Sequence, residues 1–231
     1  MAANEVGLAG ARRRGIVRTG DTIRRPPSDS TMLVEGLLAH LERVGFDGAP
    51  RFLGRDDLGR EILSFLPGAV ARHRPPVGRK RLESAARLIR RFHDATAGSP
   101  LVEGEEVVCH GELGPHNTLF CGSEAVALID FDTVYPGSRL DDLGHAAWFF
   151  VPIGAGGGSV EQQGTRLRIL CDGYSDCDPV AVLAALGDRF ERVGAWYRER
   201  GLEFGEAKFR GFSSLLTAER AAVLAAAGRA G

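Results

Sequence analysis

The sequence predicts an α+β fold of two unequal lobes: a short, β-rich N-lobe over residues 1–66 and a larger, mostly helical C-lobe over 67–231. Three observations predict it. β-branched runs separated by turn residues crowd the first quarter of the chain. A Pro- and Gly-containing stretch follows at Pro67-Gly68 and Pro75-Pro76, and apolar residues then recur at helical spacing through much of the remainder.

Residues 1–11 show no periodicity and are expected to be irregular. From Gly15 to Arg24, two short runs flank a Thr-Gly-Asp turn and read as a hairpin that Pro26-Pro27 terminates. Ser28, Asp29 and Ser30 offer N-caps for a helix carrying Leu33, Leu37, Leu38, Leu41 and Val44, closed by Gly45. Arg51 to Leu66 reads as a second hairpin turning near Asp56-Asp57-Leu58-Gly59, and the stretch to Pro76 as a linker. Beyond it, Arg79 to Ala97 places Leu82, Ala85, Ala86, Ile89 and Phe92 on one helical face. Val107–Phe120 and Ala125–Asp132 are strand-like, and helices are expected near 140–150, 160–174, 179–200 and 206–227. The front lobe looks short of an outer strand.

Composition excludes several classes. With 44% hydrophobic and 26% charged residues, and no apolar run near the ~18 residues that cross a bilayer, no membrane span is expected. No apolar segment precedes Arg12-Arg13-Arg14, so no signal peptide is read. Cys109, Cys121, Cys171 and Cys177 form no CxxC pair and read as reduced thiols of a cytoplasmic protein. Cys109-His110 with Cys121 lacks a fourth zinc ligand at standard spacing. Residues 1–100 hold 18 Arg and Lys against 11 Asp and Glu, and residues 101–231 hold 11 against 19. A basic front suits nucleotide phosphates, and an acidic back suits a cationic ligand. The arginine triplet reads as a solvated segment rather than a nucleic-acid site.

Chemistry concentrates in His110-Gly111-Glu112-Leu113-Gly114-Pro115-His116-Asn117 and in Ile129-Asp130-Phe131-Asp132. Phosphoryl transfer needs a carboxylate near the attacking hydroxyl and oxygen ligands that hold Mg²⁺ against nucleotide phosphates. A carboxylate followed five positions later by Asn, in a loop with Gly and Pro, supplies the first set. An Asp ending the apolar run Val126–Ile129 supplies the second.

These segments resemble the H-x-D-x-x-x-x-N catalytic loop and the metal-binding strand end of the aminoglycoside phosphotransferase and choline kinase-like family, and Pro136 to Leu143 resembles its P-G-x-R-x-x-D-L helix start. The resemblance implies a protein-kinase-like fold that uses ATP or GTP with Mg²⁺ to phosphorylate a small hydroxylated molecule, an aminoglycoside or amino alcohol being suited to the acidic back lobe. It places Glu112 beside the acceptor hydroxyl, Asn117 and Asp130 on the metal, His110 as a loop anchor and Asp142 as a brace for the loop backbone. Asp132 lies near the metal without a defined role.

The chain departs from the family pattern in two places. Glu112 stands where the family has Asp, which moves the carboxylate outward by roughly 1.5 Å, and a misplacement of ~1 Å costs on the order of 100-fold in rate. Two readings follow, an active enzyme and a nucleotide-binding module with idle catalysis. No lysine precedes Lys80, so the nucleotide-gripping lysine of kinase folds is missing from its strand. Arg24 is the expected substitute, with Arg25 on the opposite face of the strand and Glu35 or Glu42 orienting it. Leu8-Ala9-Gly10 reads as the remnant of a phosphate loop, with Gly10 toward the nucleotide.

Overall fold

Thr19 and Thr22 pair across a two-residue Gly20-Asp21 turn, so β2 (Val17–Thr19) and β3 (Thr22–Arg25) form the expected hairpin. The computed structural model describes residues 5–7, 15–72, 75–153, 158–175 and 177–229. Gly10, Arg12-Arg13-Arg14, Asp176 and most of the Gly154–Gly158 loop lie outside them.

The hairpin sits inside an antiparallel sheet of order β1-β2-β3-β5-β4, with β1 at Val6–Gly7, β4 at Phe52–Arg55 and β5 at Glu61–Ser64. The outer strand that seemed missing is therefore present as the two-residue β1, which pairs with β2 although its sequence carries no alternation. Between β4 and β5 the Asp56 carboxylate accepts hydrogen bonds from the N–H groups of Leu58 and Arg60 and closes the turn. Helix α1 (Thr31–Arg43) lays Val34, Leu37, Leu38 and Leu41 into the core. Its N-cap, Ser30, makes no side-chain cap hydrogen bond.

The expected linker is partly a strand. Ala69–Val70 (β6) pairs with β8 (Thr118–Cys121), which pairs with β9 (Glu124–Leu128). Past β6, the Ala71 N–H donates to the Pro115 carbonyl at 2.9 Å and ties this stretch to the candidate loop. Helix α2 (Arg79–Thr96) buries Leu82, Ala85, Ala86, Ile89 and Phe92 as its periodicity required, and also His93. A two-stranded ribbon joins β7 (Val107–Cys109) to β10 (Tyr135–Gly137).

Four helices complete the chain: α3 (Arg139–Phe150), α4 (Val160–Tyr174), α5 (Pro179–Glu199) and α6 (Glu203–Arg229). Ser138 caps α3 by accepting from the Asp141 N–H, Ser159 and Gln162 form a capping box on α4, and Asp178 caps α5 ahead of Pro179. These helices pack at backbone distance in two places. A Cβ on Gly144 would lie 2.7 Å from the Leu186 nitrogen of α5, and one on Gly164 would lie 2.5 Å from Ala226 Cβ of α6. The resulting core is continuous from Leu37 of α1 through Phe92, Phe131 and Phe150 to Leu186 of α5. The four cysteines are free thiols, and no helix among the described residues is long and apolar enough to cross a membrane.

Candidate active site

The site is built on the loop after β7. His110 is fully buried, and its Nε2 hydrogen-bonds the Ile129 carbonyl at 3.0 Å. The tautomer with the proton on Nε2 leaves Nδ1 to accept from the Glu112 N–H at 3.4 Å. Its ring packs on Phe131 with centroids 4.8 Å apart, and burial lowers its pKa below the usual histidine range.

Gly111 is clamped from both sides. Its N–H donates to Asp142 Oδ1 at 3.0 Å, and its carbonyl accepts from Arg189 Nη2 of α5 at 2.8 Å. It adopts φ +82°, and an added Cβ would meet the Thr133 carbonyl oxygen at 2.2 Å, so only glycine fits.

Asp142, in the first turn of α3, takes the His110 N–H at 2.6 Å on its other oxygen, together with His93 Nε2 at 3.1 Å. Complete burial pushes its carboxyl pKa up, but the hydrogen bond and charge of His93, with His110, outweigh burial and hold it down to about 2. His93 is itself fixed by Tyr174, whose hydroxyl lies 2.8 Å from Nδ1. A chain of buried polar groups thus runs from α4 through α2 and α3 to the loop backbone.

Asn117 ends the loop. Its side-chain Nδ2 donates to the Glu112 carbonyl at 3.0 Å, which leaves Oδ1 as the free acceptor of the amide. Its backbone carbonyl accepts from the Ile129 N–H at 3.0 Å. The Ile129 peptide groups are therefore held by Asn117 on one side and His110 on the other, and Asp130 follows directly. Asp130 sits in the left-handed region at φ 68°, an unusual conformation for a non-glycine residue, and its carboxylate is exposed with no hydrogen bond or ion pair among the described residues. Glu112 is half-buried, and its carboxylate likewise makes neither.

Among the described residues no cluster of three or more His, Cys, Asp or Glu side chains forms a metal site. The donors available beside the loop are the Asn117 Oδ1 and the Asp130 carboxylate. Two hard oxygen donors suit Mg²⁺, which takes few protein ligands and completes its shell with phosphate oxygens and water. The residues present fit that ion.

The structure brings His110, Glu112, Asn117, Asp130 and Asp142 together and leaves Arg24 apart. Arg24 Nη1 bonds Thr22 Oγ1 at 2.6 Å and its Nε lies 3.9 Å from Asp56, on the face turned away from Asp132. Arg25 is the residue that reaches the Asp130–Asp132 turn, with Nη1 3.0 Å from Asp132 Oδ1. The helix acids do not orient Arg24 either, since Glu35 pairs with Arg55 and Glu42 with Arg51. Gly10 lies outside the described residues.

Sequence reasoning missed His93, Tyr174 and Arg189. His93 had a signal, because it lies four residues after Ile89 on the apolar face of α2. Arg189 had none, since its contact to Gly111 spans 78 positions. A further buried group, His145 of α3, packs its ring on Phe149 with centroids 5.1 Å apart. Burial, joined by the charge of Arg189, pushes its pKa down to about 3.

Residues 23–180 match the phosphotransferase enzyme family, APH. The trifolitoxin immunity protein of Rhizobium leguminosarum bv. trifolii is 31% identical, over 74% of each chain. Among solved structures, a choline/ethanolamine kinase family protein from Mesorhizobium loti superposes with a TM-score of 0.61 at 15% identity, covering 92% of this chain and 88% of that one. An aminoglycoside phosphotransferase from Streptomyces rimosus, solved with ADP and streptomycin, gives 0.56 at 15% identity, covering 74% and 87%. These last two likenesses show the kinase-like fold. From the match over its middle two-thirds, and from the loop and strand-end motifs that fold together, this chain belongs to the phosphotransferase enzyme family.

Proposed function

We propose that the protein transfers the γ-phosphoryl group of ATP or GTP to a hydroxyl of a small molecule, with 1–66 as the nucleotide-side lobe and 67–231 carrying the loop and the acceptor site. The single observation behind this reading is the double hold on Ile129, which sets Asp130 beside Asn117 and both beside the Glu112 loop. Asn117 Oδ1 and the Asp130 carboxylate would hold Mg²⁺, which when bound neutralises phosphate charge and aligns the transferring group. Glu112 orients the acceptor hydroxyl and accepts its proton late in the transfer. Asp142, Arg189 and His93 keep the loop backbone from moving while this happens. His110, whose pKa burial lowers, supports Glu112 by accepting the Glu112 backbone N–H on Nδ1.

The acceptor class follows from two leads. The acidic back half suits an amine-bearing alcohol or aminoglycoside, the substrate types named for the solved relatives. The relative named for trifolitoxin immunity favours a second reading, in which the acceptor is a toxic compound that phosphorylation disarms. Turnover of Mg·ATP and Mg·GTP with a panel of hydroxylated acceptors, comparing wild type with Asp130→Ala, tests the proposal. Acceptor-dependent release of nucleoside diphosphate that disappears in the variant supports it, and equal rates in both refute it. Glu112→Asp separates an adapted base from an idle one: a drop in rate means that Glu is the fitted base, and a large gain means that the natural chain is catalytically slack.

A further inference from the structure

The turn between α4 and α5 brings two thiols together. Cys171 lies in the last turn of α4 and is 1% exposed. Cys177, six positions on, stands just ahead of the α5 cap Asp178 and is partly exposed. Between them Ser175 ends the helix at φ 69°, a left-handed conformation that favours glycine, while its N–H still donates to the Cys171 carbonyl at 3.0 Å. This reversal folds the chain back onto the helix, and Cys177 Sγ donates to Cys171 Sγ at 3.3 Å. No third His, Cys, Asp or Glu side chain joins the pair among the described residues, so it lacks the ligand set of a zinc site. The contact with Cys177, together with burial, pushes the Cys171 thiol pKa up. Tyr174, between the two cysteines, sets its hydroxyl 2.8 Å from His93 and accepts from Arg139 Nη1 at 3.2 Å, and His93 in turn reaches Asp142.

We infer that Cys171 and Cys177 are a modification site, oxidised reversibly to a disulfide that staples the end of α4 to the start of α5. The staple fastens Tyr174, which is the α4 end of the buried polar chain that braces the candidate loop. The oxidant is a small disulfide of the glutathione type, acting by thiol–disulfide exchange. The thiolate of Cys177, the more accessible of the two, attacks one sulfur of that disulfide, forms a mixed disulfide and releases one small thiolate. The Cys171 thiolate then attacks Cys177 Sγ, which closes the Cys171–Cys177 bond and releases the second small thiolate. The two cysteine protons end on the two released thiols, so the cysteines give up two electrons and the small disulfide takes up the same two. The sulfurs close by roughly 1.2 Å to reach the bonding distance of about 2.05 Å. Cys177 supplies that movement, because it lies in the turn outside both helices, whereas Cys171 is held within α4. The other two thiols are placed differently, Cys109 donating to the Ser138 carbonyl and Cys121 to the Pro67 carbonyl.

Redox titration of the full chain tests this, and neither of its readouts uses nucleotide or acceptor. Protein carrying Cys121→Ser, which removes the exposed competing thiol, is equilibrated with oxidised and reduced glutathione over a range of ratios. It is then quenched in acid, alkylated while unfolded and weighed by mass spectrometry. The expected product has lost two hydrogens and two alkylatable thiols, carries no glutathione, yields a peptide linked between Cys171 and Cys177, and returns to its starting mass with dithiothreitol. Adding Cys177→Ser to the same background abolishes the internal link. Amide exchange then compares the oxidised and reduced forms. With the staple closed, the amides of Gly173, Tyr174 and Ser175 exchange at least about tenfold more slowly. In the Cys177→Ser protein, glutathione leaves them within about twofold of their starting rates. Protein that stays fully reduced in oxidised glutathione alone, or that takes up glutathione without forming the internal link, overturns the inference and leaves two packed thiols. A disulfide that forms but leaves those amides exchanging as in the reduced protein overturns the staple.

Discussion

The candidate loop after β7 and the front sheet hold their charged groups in opposite ways. In the loop, buried side chains from distant helices bind backbone atoms: Asp142 takes the N–H groups of His110 and Gly111, and Arg189 takes the Gly111 carbonyl. In the sheet, one side chain holds another, Arg25 against Glu61 across a strand pair. A backbone clamp is indifferent to the side chain it presents. The frame around Glu112 uses its N–H and its carbonyl alone, so glutamate in place of aspartate changes the reach of the carboxylate and leaves the loop intact. A side-chain pair has no such tolerance, because its identity and strand face are the device itself.

The sharpest test of the clamp is Asp142→Ala. It strands two buried N–H groups and His93 at once, and breaking a buried charged network in this way costs on the order of 3–5 kcal/mol. Urea unfolding is expected to show a loss of that size, and a loss below about 1 kcal/mol would mean that the loop is held by something else. Gly111→Ala comes next. Its positive φ and the 2.2 Å approach to the Thr133 carbonyl predict a destabilisation of about 2 kcal/mol or more with loss of turnover, measured by the same unfolding curve and by the nucleoside diphosphate assay.

Acid probes the loop side of this comparison, through two buried groups of α3. His145 has its pKa lowered from 6.5 to about 3, so the unfolded chain takes up the proton first; its contribution is complete above about pH 6.5 and drains away as pH falls toward 3. Asp142, lowered from 3.8 to about 2, contributes above 3.8 and loses that contribution only between 3.8 and 2. Stability is therefore expected to decline from near pH 6, well before the carboxylates titrate, through His145 and through His110, whose pKa burial also lowers, and His145→Gln should make that decline shallower in urea unfolding repeated across the acid range. An unchanged steepness would remove His145 from the account.

These residues also mark how far the sequence could be read. The hairpins, the helices and the position of the candidate loop were legible because each is written in local spacing, from the Thr-Gly-Asp turn to the five positions from Glu112 to Asn117. What was not legible depended on register or on distance. Arg24 and Arg25 are neighbours of identical chemistry, and only the pairing of β3 with β5 decides which faces Asp132. The linker gave no sign of β6, whose paired residues lie 49 and 51 positions on. The two-residue β1 is too short to show a period.

The smallest effect expected is at the surface of the sheet. Glu35 and Arg55 are both more than 40% exposed, so Glu35→Gln should change stability by less than about 0.5 kcal/mol in thermal unfolding. A larger change would give α1 a part in the front lobe's electrostatics that the register does not assign to it.

The central claim is that Asn117 and Asp130 together carry the divalent cation that accompanies the nucleotide. Mg²⁺ titration of nucleotide affinity in wild type and in Asp130→Ala tests it most directly. The account predicts that wild type binds the triphosphate tightly only with Mg²⁺ and that Asp130→Ala loses this dependence while keeping its fold. The same Mg²⁺ dependence in both proteins would contradict it.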